Sequence, residues 1–275
     1  MKKLIAFLAV VLWFTGPLGA SDPSPLRKLM TGDDSRGWEG VGRLNMNGES
    51  FCTGALIADN LVLTAGHCLF DKTSGRRYDP TEIEFLAGWR NGRASAYRGV
   101  RRAVVHPEFE FEDLNNAARV VNDLALLELD QPIRKHSVQP FPTHHRPRKG
   151  AEVGVVSYAH DRSESPALQE MCQVLARQSG VLVMSCEVDY GSSGAPVFVV
   201  ENGEPRIVSV VSAKAMVRDI PVSLGTNLEA PLAELKSLLA SNDGVFKSVQ
   251  PTSQTSVRRL QIEPNRGGGA KFVRP

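Results

Sequence analysis

An antiparallel all-β protein closed into two barrels is the fold class this sequence predicts, on three observations. Short segments rich in Val, Ile, Leu and aromatic residues are separated throughout by Gly, Pro, Asn and Asp, the mark of strands joined by turns. A polar stretch at 131–150, containing Pro132, Pro140, Pro142 and Pro147, splits those segments into two groups and reads as a connector. One segment alone has convincing helical periodicity, and it follows the second group. Closing each group into a barrel removes the strand edges that would otherwise pair with other chains.

The clearest strands of the first group are 40–46, 51–58, 82–86, 97–105 and 124–129, each carrying branched or aromatic residues between turn formers. Leu61-Val62-Leu63-Thr64 is a further short apolar element. The second group holds 151–158, 181–187 and 205–212. The helix is expected over 229–240, with Pro231 in its first turn, where a missing N–H is harmless, and Leu232, Leu235, Leu238 and Leu239 on one face.

The ends have a different composition. Residues 1–20 carry Lys2 and Lys3, an apolar run over 4–14 and a small-residue exit at Gly19-Ala20, the pattern of a signal peptide. The run falls short of the about twenty residues that a spanning helix needs, so the expectation is an exported protein, secreted or periplasmic, with no membrane contact after signal removal. Losing two lysines and no acid leaves 30 basic against 30 acidic residues. That balance gives no argument for nucleic acid as a partner. Residues 21–37 read as a flexible lead-in, 38–240 as the folded domain, and 241–275, rich in Ser, Gln, Thr, Pro and Arg with Gly267-Gly268-Gly269, as a flexible tail.

Four cysteines, Cys52, Cys68, Cys172 and Cys186, suit an oxidising compartment. They allow three pairings, and spacing alone does not choose among them. None has a second cysteine two to four residues away, which argues against a structural zinc site. No metal and no organic cofactor are expected.

Three local frames carry the chemistry. The chain reads Thr64-Ala65-Gly66-His67-Cys68, then Asn122-Asp123-Leu124-Ala125-Leu126-Leu127, then Gly191-Ser192-Ser193-Gly194-Ala195-Pro196. A serine hydroxyl attacks only with an adjacent base, and the base works best with an acceptor that fixes its tautomer and stabilises its cation. Histidine, aspartate and serine in this order, each in its own frame, resemble the catalytic triad of the chymotrypsin-like serine proteases. The resemblance covers roughly residues 38–240. An α/β-hydrolase elbow is the competing frame, but it needs Gly where Ala195 stands and places its serine before its acid and histidine.

The resemblance implies two six-stranded antiparallel barrels and a C-terminal helix. It makes His67, Asp123 and Ser193 catalytic and gives the oxyanion hole to the N–H groups of Gly191 and Ser193. It also implies a Cys52–Cys68 disulfide, since the cysteine after the catalytic histidine pairs with one about sixteen residues upstream, and Cys172–Cys186 then follows. His106, His136, His144, His145 and His160 have no such frame and read as ordinary polar residues.

Two departures narrow the branch. Where trypsin-like members carry an aspartate that pairs with the amine released by activation, this chain has Ser192, and where they carry a cysteine it has Asp189. The frame is closer to the bacterial glutamyl endopeptidase branch, yet Val211 stands where that branch uses a substrate-reading histidine. For substrate binding, the resemblance marks Glu187 at the pocket floor and Ser212 and Lys214 on the strand that pairs with substrate backbone beside the pocket, with Lys214 near its entrance. An enclosed Glu187 would favour basic substrates and Lys214 acidic ones; the enclosed carboxylate, which gains more from a partner, tips the expectation toward basic.

The sequence therefore predicts a monomeric exported serine endopeptidase acting on polypeptides. A catalytically silent homologue that only binds and an esterase using the same triad are its rivals.

Overall fold

Twelve strands form two closed six-stranded antiparallel barrels in the computed structural model, which describes residues 23–111 and 117–247. The signal segment expected at 1–20 and residues 248–275 of the expected tail lie outside the described residues. A two-residue strand, β1 (Arg27–Lys28), leads into the first barrel. That barrel consists of β2 (Val41–Met46), β3 (Ser50–Ala58), β4 (Leu61–Thr64), β5 (Ile83–Ala87), β6 (Ala96–Val105) and β7 (Ala125–Leu129). A short helix, α1 (Ala117–Val121), precedes β7.

The second barrel consists of β8 (Glu152–Ser157), β9 (Ala167–Gln178), β10 (Val181–Met184), β11 (Pro196–Glu201), β12 (Glu204–Val217) and β13 (Ile220–Asn227). Around the first barrel the pairing runs β2-β3-β4-β7-β6-β5 and back to β2. Around the second it runs β8-β9-β10-β13-β12-β11 and back to β8. The two barrels share one topology.

Each barrel fills its interior with the inward side chains of its strands. Leu44, Phe85, Leu63 and Leu126 are fully buried in the first, and Val155, Val174, Leu182 and Val208 in the second. Aromatic rings join the two: Trp38 packs edge-on to Phe198 at 5.1 Å, and Phe141, delivered by the proline-rich connector, meets Phe198 at 4.9 Å. The connector thus packs into the interface.

The helix α2 spans Glu229–Ser241 and stops at Asn242, whose left-handed φ of 64° turns the chain and whose N–H caps the Leu238 carbonyl. Its buried face of Leu232, Leu235 and Leu239 joins the core of the first barrel. No helix among the described residues is long and apolar enough to cross a membrane.

Both margins of the domain reach further than the composition suggested. Arg27 and Lys28 pair with Leu168 and Ala167 of β9, and Leu29 is fully buried. After α2, the last strand β14 (Phe246–Lys247) pairs with β6, and Arg77 lies 4.1 Å over the Phe246 ring. The first margin is held by its ladder, by Leu29 and by hydrogen bonds of Ser24 and Arg27 to β9, the last by two ladder residues and Phe246. These are mostly polar and backbone contacts that do not stand out from polar flanking sequence.

Candidate active site

The first barrel builds one half of the site from a strand end and a single turn. β4 ends at Thr64, whose hydroxyl donates to the Thr53 carbonyl on β3 at 2.9 Å. The chain then makes a 3₁₀ turn, Gly66–Leu69, that carries His67. The next residue, Cys68, is joined to Cys52 on β3. His67 is therefore fixed by a strand before it and a disulfide after it.

Asp123 enters from the approach to β7 and is 1% exposed. Its Oδ1 accepts the His67 backbone N–H at 2.8 Å, and its Oδ2 lies 2.7 Å from His67 Nδ1. The Ser212 hydroxyl, from β12 of the second barrel, donates to the same Oδ2. Burial alone would push this carboxyl up, but the His67 charge and the hydrogen bonds from His67 and Ser212 outweigh it and hold the carboxyl below the ordinary aspartate value. With Nδ1 committed to the carboxylate, Nε2 is the ring atom left to accept a proton.

The second barrel supplies the loop between β10 and β11. Ser192 N–H donates to the Asp189 carbonyl at 2.8 Å, Ala195 N–H to the Ser192 carbonyl at 2.9 Å, and Gly194 N–H to the Val211 carbonyl at 2.8 Å. Gly194 has φ 79°, and a Cβ there would sit 2.2 Å from the Thr53 carbonyl oxygen. Gly191 has φ 97°, and a Cβ there would sit 2.4 Å from the Phe51 ring. Both positions exclude any side chain.

Thr53 ties this loop to the first barrel. Its N–H donates to the Ser193 carbonyl at 2.8 Å, and its hydroxyl donates to the Gly191 carbonyl at 2.9 Å while accepting Tyr158 N–H at 3.1 Å. Among the described residues, the N–H groups of Gly191 and Ser193 donate to no protein acceptor. Two free donors thus flank the Ser193 hydroxyl, an arrangement suited to an oxyanion.

His67 and Ser193 line one cavity of about 380 Å³. Lys72, Phe111, Arg119 and Tyr190 also line it, and the sequence pointed to none of them. Lys214 lies on its wall and pairs with Asp189 at 2.6 Å, with its ammonium 4.4 Å from the Tyr190 ring centre. The hydrogen bond from Lys214 holds the Asp189 carboxyl below its ordinary value. Val188, Asp189 and Lys214 also line a second cavity of about 780 Å³, so the ion pair stands between the two.

Glu187 departs from its expected position. It is exposed and lines only the second of these cavities, away from Ser193. β10 ends at Met184, after a shift of its register with β9, and the Cys172–Cys186 disulfide holds the residue before Glu187 to β9. The premise of an enclosed carboxylate favouring basic substrates is thereby removed. Ser212, expected on the strand beside the pocket, lines the first cavity and also donates to Asp123.

One group of three potential metal ligands lies close together among the described residues, Cys52, His67 and Cys68. Both its sulfurs are consumed in one disulfide, so it offers no thiolate. Of the other histidines, His106 is buried against Glu234 at 3.3 Å and His144 meets Glu201 at 2.9 Å.

The sequence pattern of the trypsin family matches residues 32–216, more than half of the chain. The chain belongs to the trypsin family. This trypsin-family chain is similar to mouse Serine protease 23, 29% identical over 167 residues that cover 54% of the chain and 43% of that protein. It is also similar to the Trypsin of Sarcophaga bullata, 31% identical over 87 residues, covering 32% of the chain and 30% of that protein. It spans less than half the length of these relatives. Among solved structures it resembles a Glu endopeptidase in complex with MPD, with a TM-score of 0.63 and 18% identity over 80% of this chain and 98% of that one. That likeness is one of fold.

Proposed function

We propose that this trypsin-family chain is an exported serine endopeptidase that cleaves polypeptides through an acyl-enzyme on Ser193. One observation carries the reading: the buried Asp123 carboxylate grips His67 by both its backbone N–H and its Nδ1, and His67 shares a cavity with Ser193.

In this mechanism Ser193 Oγ attacks the peptide carbonyl carbon and its proton passes to His67 Nε2. Asp123 stabilises the imidazolium without taking the proton. The carbonyl oxygen becomes an oxyanion held by the Gly191 and Ser193 N–H groups. Collapse breaks the C–N bond, and His67 returns its proton to the departing amine. Water then enters, loses a proton to His67 and attacks the acyl ester, releasing the acid and restoring Ser193.

A closed Lys214–Asp189 pair offers substrate neither a free cation nor a free anion at that wall. Lys72 and Arg119 leave the rest of the cavity lining positive. A fluorophosphonate probe tests the reading: wild type becomes labelled and Ser193→Ala does not. Labelling of Ser193→Ala at the wild-type rate would sink the assignment. A digest of denatured protein read by mass spectrometry then separates a peptidase from an esterase.

A further inference from the structure

The turn that follows β8 holds the Ser193 loop at backbone and side chain together. It is a 3₁₀ turn, His160–Arg162. His160 N–H donates to the Tyr190 carbonyl at 2.7 Å. In a planar trans peptide the C=O and N–H point opposite ways, so fixing the Tyr190 carbonyl aims the Gly191 N–H of the same peptide unit away from the turn. By the same geometry, the Ala195 N–H on the Ser192 carbonyl aims the Ser193 N–H. Both free donors of the loop are thus set by the partners of their own carbonyls.

Arg162 adds a side-chain link between the turn and the loop. Its side chain is 3% exposed. Nη2 lies 3.3 Å from both Ser157 Oγ and Ser192 Oγ, and Nη1 lies 2.9 Å from the Asp161 carboxylate, which is itself mostly exposed. Ser192 is 1% exposed, and its hydroxyl also accepts the Asp189 N–H at 3.3 Å and reaches the Tyr158 carbonyl at 3.2 Å. A hydroxyl has one proton to donate and two lone pairs. With Arg162 and Asp189 donating, its one proton faces two acceptors, the Tyr158 carbonyl and Ser157 Oγ at 3.3 Å, and its capacity is filled.

A buried guanidinium that meets hydroxyls on its inner side, with Nε unpartnered, is a poor way to gain stability. Its geometry fits another purpose. We infer that Arg162 is a positioning residue for the oxyanion loop, acting through Ser192 to hold the Gly191 and Ser193 N–H groups in their productive orientation. Arg162 is part of the chain from synthesis, so this anchor needs no cleavage to form.

The inference rests on the serine endopeptidase reading, and its test separates the two. Wild type, Arg162→Met, Ser192→Ala and the double variant are compared in fluorophosphonate labelling, kcat and KM for a peptide substrate, and the low-field proton resonance of the His67–Asp123 pair. Arg162→Met lowers labelling and kcat by about 10²-fold, near the loss of one oxyanion donor, with KM within about twofold, as for an interaction made in the transition state. The low-field resonance persists, because that pair belongs to the first barrel. The double variant loses less than the sum of the two single losses, since the Arg162–Ser192 contact is removed in both. Wild-type kcat and labelling in Arg162→Met would overturn the inference. So would loss of the low-field resonance along with activity, which would make Arg162 merely structural, and so would additive losses in the double variant. A wild type that takes no label while keeping its low-field resonance would overturn the endopeptidase reading, and this inference with it.

Discussion

The two barrels share one strand order and one disulfide each, yet they hold their parts of the site by different means. In the first barrel, His67 and Asp123 touch directly at two points, and each sits at the edge of a barrel strand or one short turn beyond it. In the second, Ser193 rides on a loop with two glycines at positive φ, and that loop is held by Thr53 of the other barrel and by Arg162. Base and acid are positioned by rigid neighbours. The nucleophile is positioned by a tertiary polar network.

The first way to break this comparison is to remove the rigid half. We expect His67→Ala to lower turnover by on the order of 10⁴ or more, because the base cannot be replaced by any neighbour. Asp123→Asn should cost on the order of 10⁴ while the fold is retained, since an amide presents one acceptor where the carboxylate presents two and favours the wrong imidazole tautomer. Steady-state kinetics with circular dichroism decide it. A loss under tenfold for either variant would mean that the rigid half is dispensable.

The same division explains what could be read from the sequence. His67, Asp123 and Ser193 each lie in a short frame whose neighbours are local: Cys68 after the histidine, an apolar strand after the aspartate, glycines around the serine. The contacts of Thr53, Arg162 and Ser212 connect residues 30 to 138 positions apart, and no local pattern marks them. Strands follow the same rule. β2 and β7 carry apolar and branched residues between turn formers, whereas β9, ALQEMCQVLARQ, is rich in helix formers and becomes a strand because β8 and β10 pair with it on either side. β13 contains Pro221 and Gly225, which weaken any strand reading, and it is fixed by its ladders to β10 and β12. Glu187 was misread for a related reason. Counting back from Ser193 assumes a loop path, and the chain here takes another.

The disulfides offer a smaller perturbation that should sharpen the contrast. Cys52–Cys68 and Cys172–Cys186 have sequence separations of 16 and 14, so by loop closure each contributes roughly 3 kcal/mol. Replacing either pair by alanine should lower stability to denaturant by similar amounts. Their effects on the site should differ. Loss of Cys52–Cys68 frees the turn that carries His67 and should broaden the low-field His67–Asp123 resonance, whereas loss of Cys172–Cys186 should leave that resonance unchanged. Equal broadening in both variants would contradict separate anchoring of the two halves.

The smallest effect is expected at the wall between the two cavities, and it concerns selection among substrates. Lys214 and Asp189 are both about half exposed, and pairs of this kind are screened by salt and water. Breaking the pair with Lys214→Met should leave unfolding and the labelling rate of a small phosphonate unchanged, because the His67–Asp123 contact and the backbone bonds of Asp189 to Ser192 do not use the Lys214 ammonium. The cavity beside Ser193 does change: it loses an ammonium held over Tyr190, and Asp189 loses the partner that keeps its carboxyl low. The mass-spectrometric digest should therefore shift toward bonds flanked by basic residues, which can now pair with Asp189. Glu187→Gln serves as the control, since Glu187 lines only the neighbouring cavity. Its digest should match wild type. A shift with Glu187→Gln and none with Lys214→Met would return substrate selection to the carboxylate that the structure turns away from Ser193.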